Sequence, residues 1–189
     1  MTAHRSGSPD NVVTHRSGSP DNVVTHHYEI AVTWTGNTAT GPGSRRVSSR
    51  QCEVTAAGPV PLLGSADPAF GGDPTRWNPE QLYLAAIAQC HMLWFLDLAA
   101  RAGVVVTAYE DRPTGVMVEE AGGAGQFESV TLHPTVTVTA ASDPATAVAL
   151  HDQVGDYCFI ARSINTPIHH EVVVRFDDGG SYRPDPRPS

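Results

Sequence analysis

The sequence predicts an α+β fold in which antiparallel sheets enclose a buried helix. Residues 82–100 are apolar on almost every side of a helix, strand-like runs flank them, and a second helical stretch follows. A helix without a polar face is buried on all sides. In a chain of 189 residues, either a sheet wraps this helix or a second subunit covers it.

The first strands precede the helix. Residues 28–35, YEIAVTWT, alternate in the manner of a strand, and a glycine-rich turn follows them. Residues 45–54, RRVSSRQCEV, are predicted to return as the second strand of a hairpin. The stretch 59–73 is rich in proline and glycine and is predicted to be a loop.

The long helix has signals at both ends. Asn78 is a favourable N-cap, Pro79 suits the first helical position, and Gln81 stands where a capping-box partner belongs. The apolar pattern runs to Arg101, and Gly103 supplies a C-terminal stop. The sequence therefore predicts one helix that ends at Arg101.

The second half of the chain alternates between strands and helices. A second helix is predicted to start at Asp143 and Pro144, Gly155 is expected to interrupt it, and Asp156 to open a further short helix. Strands are predicted at 104–111, 114–120, 129–140 and 168–176.

Both ends of the chain differ from this pattern. The eleven residues at 4–14, HRSGSPDNVVT, recur unchanged at 15–25, and this unit is too short and polar to build a repeat fold. We expect residues 1–25 to be a mostly disordered leader. Residues 26–176 form the predicted domain, and the Gly-, Pro- and Asp-rich residues 177–189 a flexible tail.

Charge and composition exclude some classes of partner. The net charge of −8 argues against nucleic acid, which requires clustered cations. The N-terminus lacks an apolar signal segment, and no stretch of about 18 uncharged apolar residues suggests a membrane span. We therefore expect a cytoplasmic protein, where paired cysteines are more often catalytic, redox-active or metal-binding than structural.

The chain has three cysteines. Cys52 lies in a predicted strand without a basic partner and is expected to be a packing residue. Cys90 lies in the middle of the long helix. Cys158 is expected in the first turn of the short helix begun at Asp156, where the helix dipole favours a thiolate.

Spacing alone leaves three interpretations of Cys90 and Cys158. They could be two unrelated buried residues, since free cysteine packs like a small hydrophobe. They could bind a metal with His91, His169 or His170, although no ligand spacing groups these residues. They could also form a dithiol that cycles to a disulfide, which suits peroxide reduction through a sulfenic acid.

The run NPEQLYLAAIAQCHMLWFL, followed by YCFIARSIN, resembles the OsmC/Ohr family of thiol-dependent hydroperoxide reductases. TWTGNTATG and SADPAFGGDPTRWNPEQ resemble its OsmC-like branch. The resemblance covers about residues 27–176, so the predicted domain is expected to be OsmC-like. It implies an intertwined homodimer, with antiparallel sheets around two buried helices and both active sites at the interface.

The resemblance also implies roles for individual residues. Cys90 matches the peroxidatic cysteine and Cys158 the resolving one. Glu80 matches a glutamate that pairs with an arginine supporting the thiolate. Arg46 is our first choice for that arginine, with Arg45 and Arg76 as alternatives. Glu80 and Cys90 are about 15 Å apart along one helix, so such an arginine needs a bend or another chain.

The implied function is reduction of organic hydroperoxides to alcohols, with an external dithiol reopening the Cys90–Cys158 disulfide. No metal or organic cofactor is implied. The side chains expected to favour alkyl substrates over hydrogen peroxide are Leu93, Trp94, Phe95 and Phe159.

Two alternatives remain at this point. One is a non-catalytic or redox-sensing dimer of the same fold. The other is a hydrolase built on Cys90 and His91, which would need an orienting acid that the sequence does not supply. Adjacent helical residues point about 100° apart, so we expect His91 to pack or to form a hydrogen bond rather than to polarise Cys90.

Overall fold

The computed structural model describes residues 13–15, 24–36 and 49–182, and the chain divides into two units, residues 1–80 and 81–189. Each unit is described by itself. Arg45 and Arg46 lie outside the described residues, as does the first part of the strand predicted at 45–54.

The described residues of the first unit form five short strands. β1 (Val13–His15) and β2 (Val24–His26) have the same sequence, Val-Thr-His, because each covers the end of one copy of the repeat and the histidine after it, and they pair antiparallel. β3 (Ala31–Trp34), β4 (Cys52–Thr55) and β5 (Leu62–Gly64) form an antiparallel sheet in that order. β5 falls in the segment predicted as a loop, because proline and glycine flank three residues that still pair with β4.

A polar loop connects β5 to the long helix. The Asp67 carboxylate accepts from the backbone of Ala69, which starts a short 3-10 turn, and from the side chain of the buried Asn78. The Asp73 carboxylate accepts from Thr75 and from Gln51 of the strand region. These bonds hold the chain in a defined path up to the start of the helix.

The long helix, α1, spans Pro79–Arg101, as predicted. Gly103 follows it with φ of +74°, a backbone conformation that favours glycine. By length and composition alone α1 could also cross a membrane, a test that core helices of soluble proteins pass as well. Its residues buried within the described chain are Ile87, His91, Phe95, Leu98 and Ala99.

The second unit builds two mixed sheets. One has the order β10-β8-β7 and the other β12-β11-β9-β6. The strands are β6 (Val106–Glu110), β7 (Thr114–Glu119), β8 (Gly125–Leu132), β9 (Thr135–Val138), β10 (Ile168–His170), β11 (Val173–Phe176) and β12 (Ser181–Tyr182).

Two strand pairs in these sheets differ from the predicted antiparallel arrangement. β10 runs parallel to β8, and β11 runs parallel to β9, while the other pairs are antiparallel. The single run predicted at 129–140 is divided into β8 and β9 at Pro134, which has no N–H to continue a ladder. Each of the two resulting strands therefore belongs to a different sheet.

The second helix, α2, spans Pro144–Tyr157. Asp143 caps it through the backbone N–H groups of Ala145 and Thr146. The predicted break at Gly155 was wrong, because α2 continues through it and through Asp156. The short helix predicted to begin at Asp156 is instead a 3-10 helix at Ala161–Ser163. A stripe at i, i+3, i+4 and i+7 is buried along α2, and that packing outweighs the low helix propensity of one glycine. The stripe consists of Ala147, Leu150, His151 and Val154.

Two clusters of buried residues form the core of the second unit. The larger packs α1 residues such as Phe95 and Leu98 against α2 and against β9 and β11, and Cys158 belongs to it. The smaller packs Ile87 against Val130 and Leu132 of β8. α1 therefore contributes to both clusters.

Candidate active site: two cysteines between the helices

Cys90 and Cys158 lie together in the second unit. Their Sγ atoms are 2.7 Å apart, although 68 residues separate them in sequence. Cys90 projects from the middle of α1 and is half-buried, whereas Cys158 is 1% exposed. The contact arises because α2 packs its C-terminal end against α1, and it leaves both residues as free thiols.

Cys158 differs from its expected setting. It caps the C-terminus of α2, with its N–H donating to the carbonyl of Val154, instead of lying in the first turn of a helix. The argument that a helix dipole favours its thiolate therefore does not apply. Burial raises the pKa of the Cys158 thiol from 9.0 to about 11, and the hydrogen bond with Cys90 adds to this shift. A weak bond from the Ala161 N–H to Sγ acts in the opposite direction.

The two thiols consequently have different roles in their contact. With a raised pKa, Cys158 carries its proton at neutral pH, so its S–H donates to Cys90 Sγ. The geometry thus keeps a protonated Cys158 in contact with the half-buried sulfur of Cys90.

Glu80 is placed at the start of α1, in the first unit. Its Oε2 atom is buried and has no hydrogen-bond partner among the described residues. Of the candidate arginines, Arg76 lies 3.5 Å from the Asp73 carboxylate. Arg45 and Arg46 lie outside the described residues.

The apolar side chains predicted near the cysteines have different environments. Phe95 is fully buried in the core and stacks on His151, so it cannot contact a substrate from solvent. Trp94 packs edge-on against Phe159, with 5.7 Å between ring centroids. Phe159 is 66% exposed and Leu93 57% exposed. An apolar surface therefore lies beside the buried Cys158.

Two buried histidines contact each other near the cysteines, and the sequence did not indicate this contact. His91 Nε2 and His151 Nδ1 are 2.8 Å apart. Burial lowers the pKa of His91 from 6.5 to about 3 and that of His151 to about 2. The expectation that His91 forms a hydrogen bond agrees with this contact. The described residues contain no cluster of histidine, cysteine or acidic side chains that could hold a metal.

Comparisons with known proteins identify the family to which this chain belongs. A family model described as OsmC-like protein matches residues 71–173, more than half of the chain. No curated protein matches the chain. An OsmC-like protein of unknown function from Vibrio cholerae is 26% identical, with a TM-score of 0.65, over 77% of this chain and 98% of that chain.

Two further solved structures share the fold. An organic hydroperoxide resistance protein OsmC from Legionella pneumophila is 17% identical with a TM-score of 0.56, over 78% of this chain and 97% of its own. The organic hydroperoxide resistance protein OhrB of Bacillus subtilis is 17% identical with a TM-score of 0.54, over 77% and 97%. The chain belongs to the OsmC-like family, and its α+β fold is the OsmC-like fold.

Proposed function

We propose that this protein is a thiol-dependent peroxidase that reduces organic hydroperoxides to alcohols. The observation that supports it most directly is the 2.7 Å contact between the sulfurs of Cys90 and Cys158. Two thiols this close can form a disulfide with small adjustments of their side chains. The hydroperoxide resistance named for the Legionella and Bacillus proteins of the same fold adds to this support.

The proposed cycle has three balanced steps. The Cys90 thiolate attacks one peroxide oxygen of ROOH, the O–O bond breaks, and the leaving alkoxide takes a proton to become ROH. Cys90 is then a sulfenic acid. The Cys158 sulfur attacks the sulfenic sulfur, releasing water and forming the Cys90–Cys158 disulfide. An external dithiol then reduces this disulfide by thiol–disulfide exchange and becomes a disulfide itself.

The order of these roles follows from the surroundings of each thiol. Cys90 is half-buried and accepts a hydrogen bond, which suits the attacking thiolate. Cys158 is buried and protonated at neutral pH, which suits a thiol that waits for the sulfenic acid. In this proposal Cys90 is therefore peroxidatic and Cys158 resolving.

Glu80 is proposed to hold an arginine that supports the Cys90 thiolate, with Arg46 preferred to Arg45 and Arg76. The buried Oε2 atom of Glu80 lacks a donor among the described residues, and an unpaired buried carboxylate oxygen is costly. A guanidinium would supply that donor and a positive charge. This role follows the family resemblance and rests on it.

A second copy of the chain is proposed to cover the exposed face of α1, giving a cytoplasmic homodimer. Leu93 on that face is 57% exposed, and other large apolar side chains, including Phe159, are exposed as well. Apolar surface of this extent is typical of an interface. Sedimentation equilibrium is expected to give twice the chain mass of 20.1 kDa, and the mass of one chain would contradict the dimer.

Cysteine variants test the proposed cycle. Cys90→Ser is expected to abolish turnover of cumene hydroperoxide, because it removes the attacking sulfur. Cys158→Ser is expected to allow one oxidation event and to leave a sulfenic acid that a dimedone probe traps. Cys52→Ser serves as the matched control, since Cys52 lies in β4 and has no part in the cycle. Full turnover by the Cys90→Ser protein would eliminate the proposal.

A further inference from the structure

His91 and His151 join α1 to α2 within the buried core. His91 Nε2 lies 2.8 Å from His151 Nδ1, so one ring donates a hydrogen bond and the other accepts it. The His151 ring also stacks on Phe95, with 4.1 Å between centroids. His91 and Phe95 are one turn apart on α1, and together they hold the His151 ring from two sides.

The cysteine contact lies on the same face of α2 as this histidine pair. His151 and Cys158 are seven residues apart, which is two helical turns or about 10 Å. Val154, between them, is fully buried. On α1, Cys90 and His91 are adjacent in sequence. The His151–His91 contact and the Cys158–Cys90 contact thus join one face of α2 to neighbouring residues of α1. The position of the histidine pair therefore constrains the position of the cysteine pair.

The pair is built for neutral imidazoles. His151 is fully buried, and its Nε2 atom has no hydrogen-bond partner among the described residues. An imidazolium at His151 would bury a charge and leave that N–H donor without an acceptor.

The titratable groups that face the pair from other elements do not compensate such a charge. His170 of β10 has its ring centroid 4.9 Å from that of His91, and Tyr109 of β6 lies 6.5 Å from His151 by the same measure. The carboxyl group of Asp111 contributes to a raised pKa at Tyr109, and its own pKa is raised by burial. The thiols of Cys90 and Cys158 complete the set.

We propose that His91 and His151 are positioning residues: their neutral hydrogen-bonded pair sets Cys158 against Cys90, and protonation of the pair separates the two thiols. Acid would thereby stop disulfide formation while the rest of the fold persists. The proposal rests on the proposed function in that it takes Cys90 and Cys158 as the reactive pair. It concerns their geometry and not their reaction with peroxide.

The test measures disulfide formation in the full chain without any peroxide. Protein is equilibrated with reduced and oxidised glutathione, alkylated, and analysed by mass spectrometry for the Cys90–Cys158 bond. Oxidised glutathione accepts the two electrons and two protons of the dithiol and becomes two molecules of reduced glutathione. His151→Leu removes the hydrogen bond and is expected to lower the equilibrium constant roughly tenfold, because small misplacements strongly reduce effective concentration.

The conservative variant supplies the control. His151→Asn keeps an amide group near the position of Nδ1 but does not titrate, and it is expected to stay close to the wild-type constant at about pH 7. Lowering the pH to about 5 is expected to decrease the wild-type constant more than that of His151→Asn. The state with separated thiols exposes both imidazoles, which bind protons below pH 6.5, whereas the buried pair stays neutral at this pH, so acid favours separation.

Two results would overturn the positioning role. One is an unchanged constant in a folded His151→Leu protein, and the other is the same pH dependence in wild type and His151→Asn. If circular dichroism shows that His151→Leu does not fold, the pH dependence of wild type and His151→Asn alone tests the positioning role. Glutathione replaces hydroperoxide throughout, so a protein that fails to reduce peroxides can still pass this test, and the two proposals fail separately.

Discussion

At the residue scale, the protonation state of Cys158 determines how the cysteine pair can work. Its thiol is buried and donates to the Cys90 sulfur, and its pKa of about 11 keeps it neutral at physiological pH. The second step of the proposed cycle needs the Cys158 sulfur as a nucleophile, and the thiolate is the reactive form. This step is therefore expected to accelerate as the pH rises.

Titration by NMR tests the state of Cys158. The Cβ chemical shift of Cys158 follows the thiolate fraction in the folded protein, and no reagent has to reach the buried sulfur. The shift is expected to change with a midpoint near pH 11, the pKa of the buried thiol. Cys52 provides the internal reference. A midpoint at the ordinary value of 9.0 would contradict the role of burial.

At the element scale, α2 determines where Cys158 stands. The helix passes through Gly155, and a Cβ placed there would meet no atom within 4 Å. Glycine costs about 1 kcal/mol relative to alanine in a helix interior. The helix tolerates this cost because its buried stripe, which includes His151 and Val154, packs against the core.

Substitution of glycines tests this view of α2. Gly155→Ala is expected to stabilise the protein by roughly 0.5–1 kcal/mol, because alanine lowers the conformational entropy of the unfolded chain and its Cβ meets no atom in the folded one. Gly115→Ala is the matched control, since its Cβ would lie 2.7 Å from the Phe127 ring and 3.0 Å from Leu84. That variant is expected to lose stability. Urea unfolding measures both, and destabilisation by Gly155→Ala would contradict the account.

Elements with local signals were predictable from the sequence. α1 begins at Pro79, directly after the predicted cap Asn78, and ends at Arg101, two residues before Gly103. The predicted end of α2 at Gly155 was wrong, because the helix continues where its buried face packs against the core. The local sequence around a glycine does not reveal such packing. The parallel pairing of β10 with β8 was missed for a similar reason, since pairing between distant strands has no local pattern.

The site was predictable to a similar extent. The resemblance carried by NPEQLYLAAIAQCHMLWFL and YCFIARSIN indicated Cys90 and Cys158, and the structure brings their sulfurs together. The dipole argument for Cys158 failed together with the predicted helix that it assumed. No sequence signal joined His91 to His151, which are 60 residues apart. A buried hydrogen bond of this kind depends on how two helices pack, so only the assembled fold reveals it.

At the scale of the whole molecule, the buried histidines couple folding to pH. The pKa values of His91 and His151 are about 3 and about 2 in the folded protein, against 6.5 for an exposed histidine. Because both values are lowered, their contribution to stability is present above pH 6.5 and is lost as the pH decreases below it. The unfolded chain then binds two protons that the folded chain does not.

Chemical unfolding at a series of pH values tests this coupling. The free energy of unfolding is expected to decrease by up to about 2.7 kcal/mol per pH unit below pH 6.5, which corresponds to two protons. His151→Asn should halve the slope because one titrating group remains. A stability that stays constant between about pH 6.5 and pH 5 would contradict buried, neutral histidines.

Peroxide consumption by the reduced wild-type protein tests the central claim most directly. Without an external reductant, one equivalent of cumene hydroperoxide is added, and residual peroxide, cumyl alcohol and the Cys90–Cys158 disulfide are quantified over the first seconds. The account predicts one alcohol formed and one disulfide formed for each peroxide lost. Peroxide that remains intact beside fully reduced Cys90 and Cys158 would contradict it.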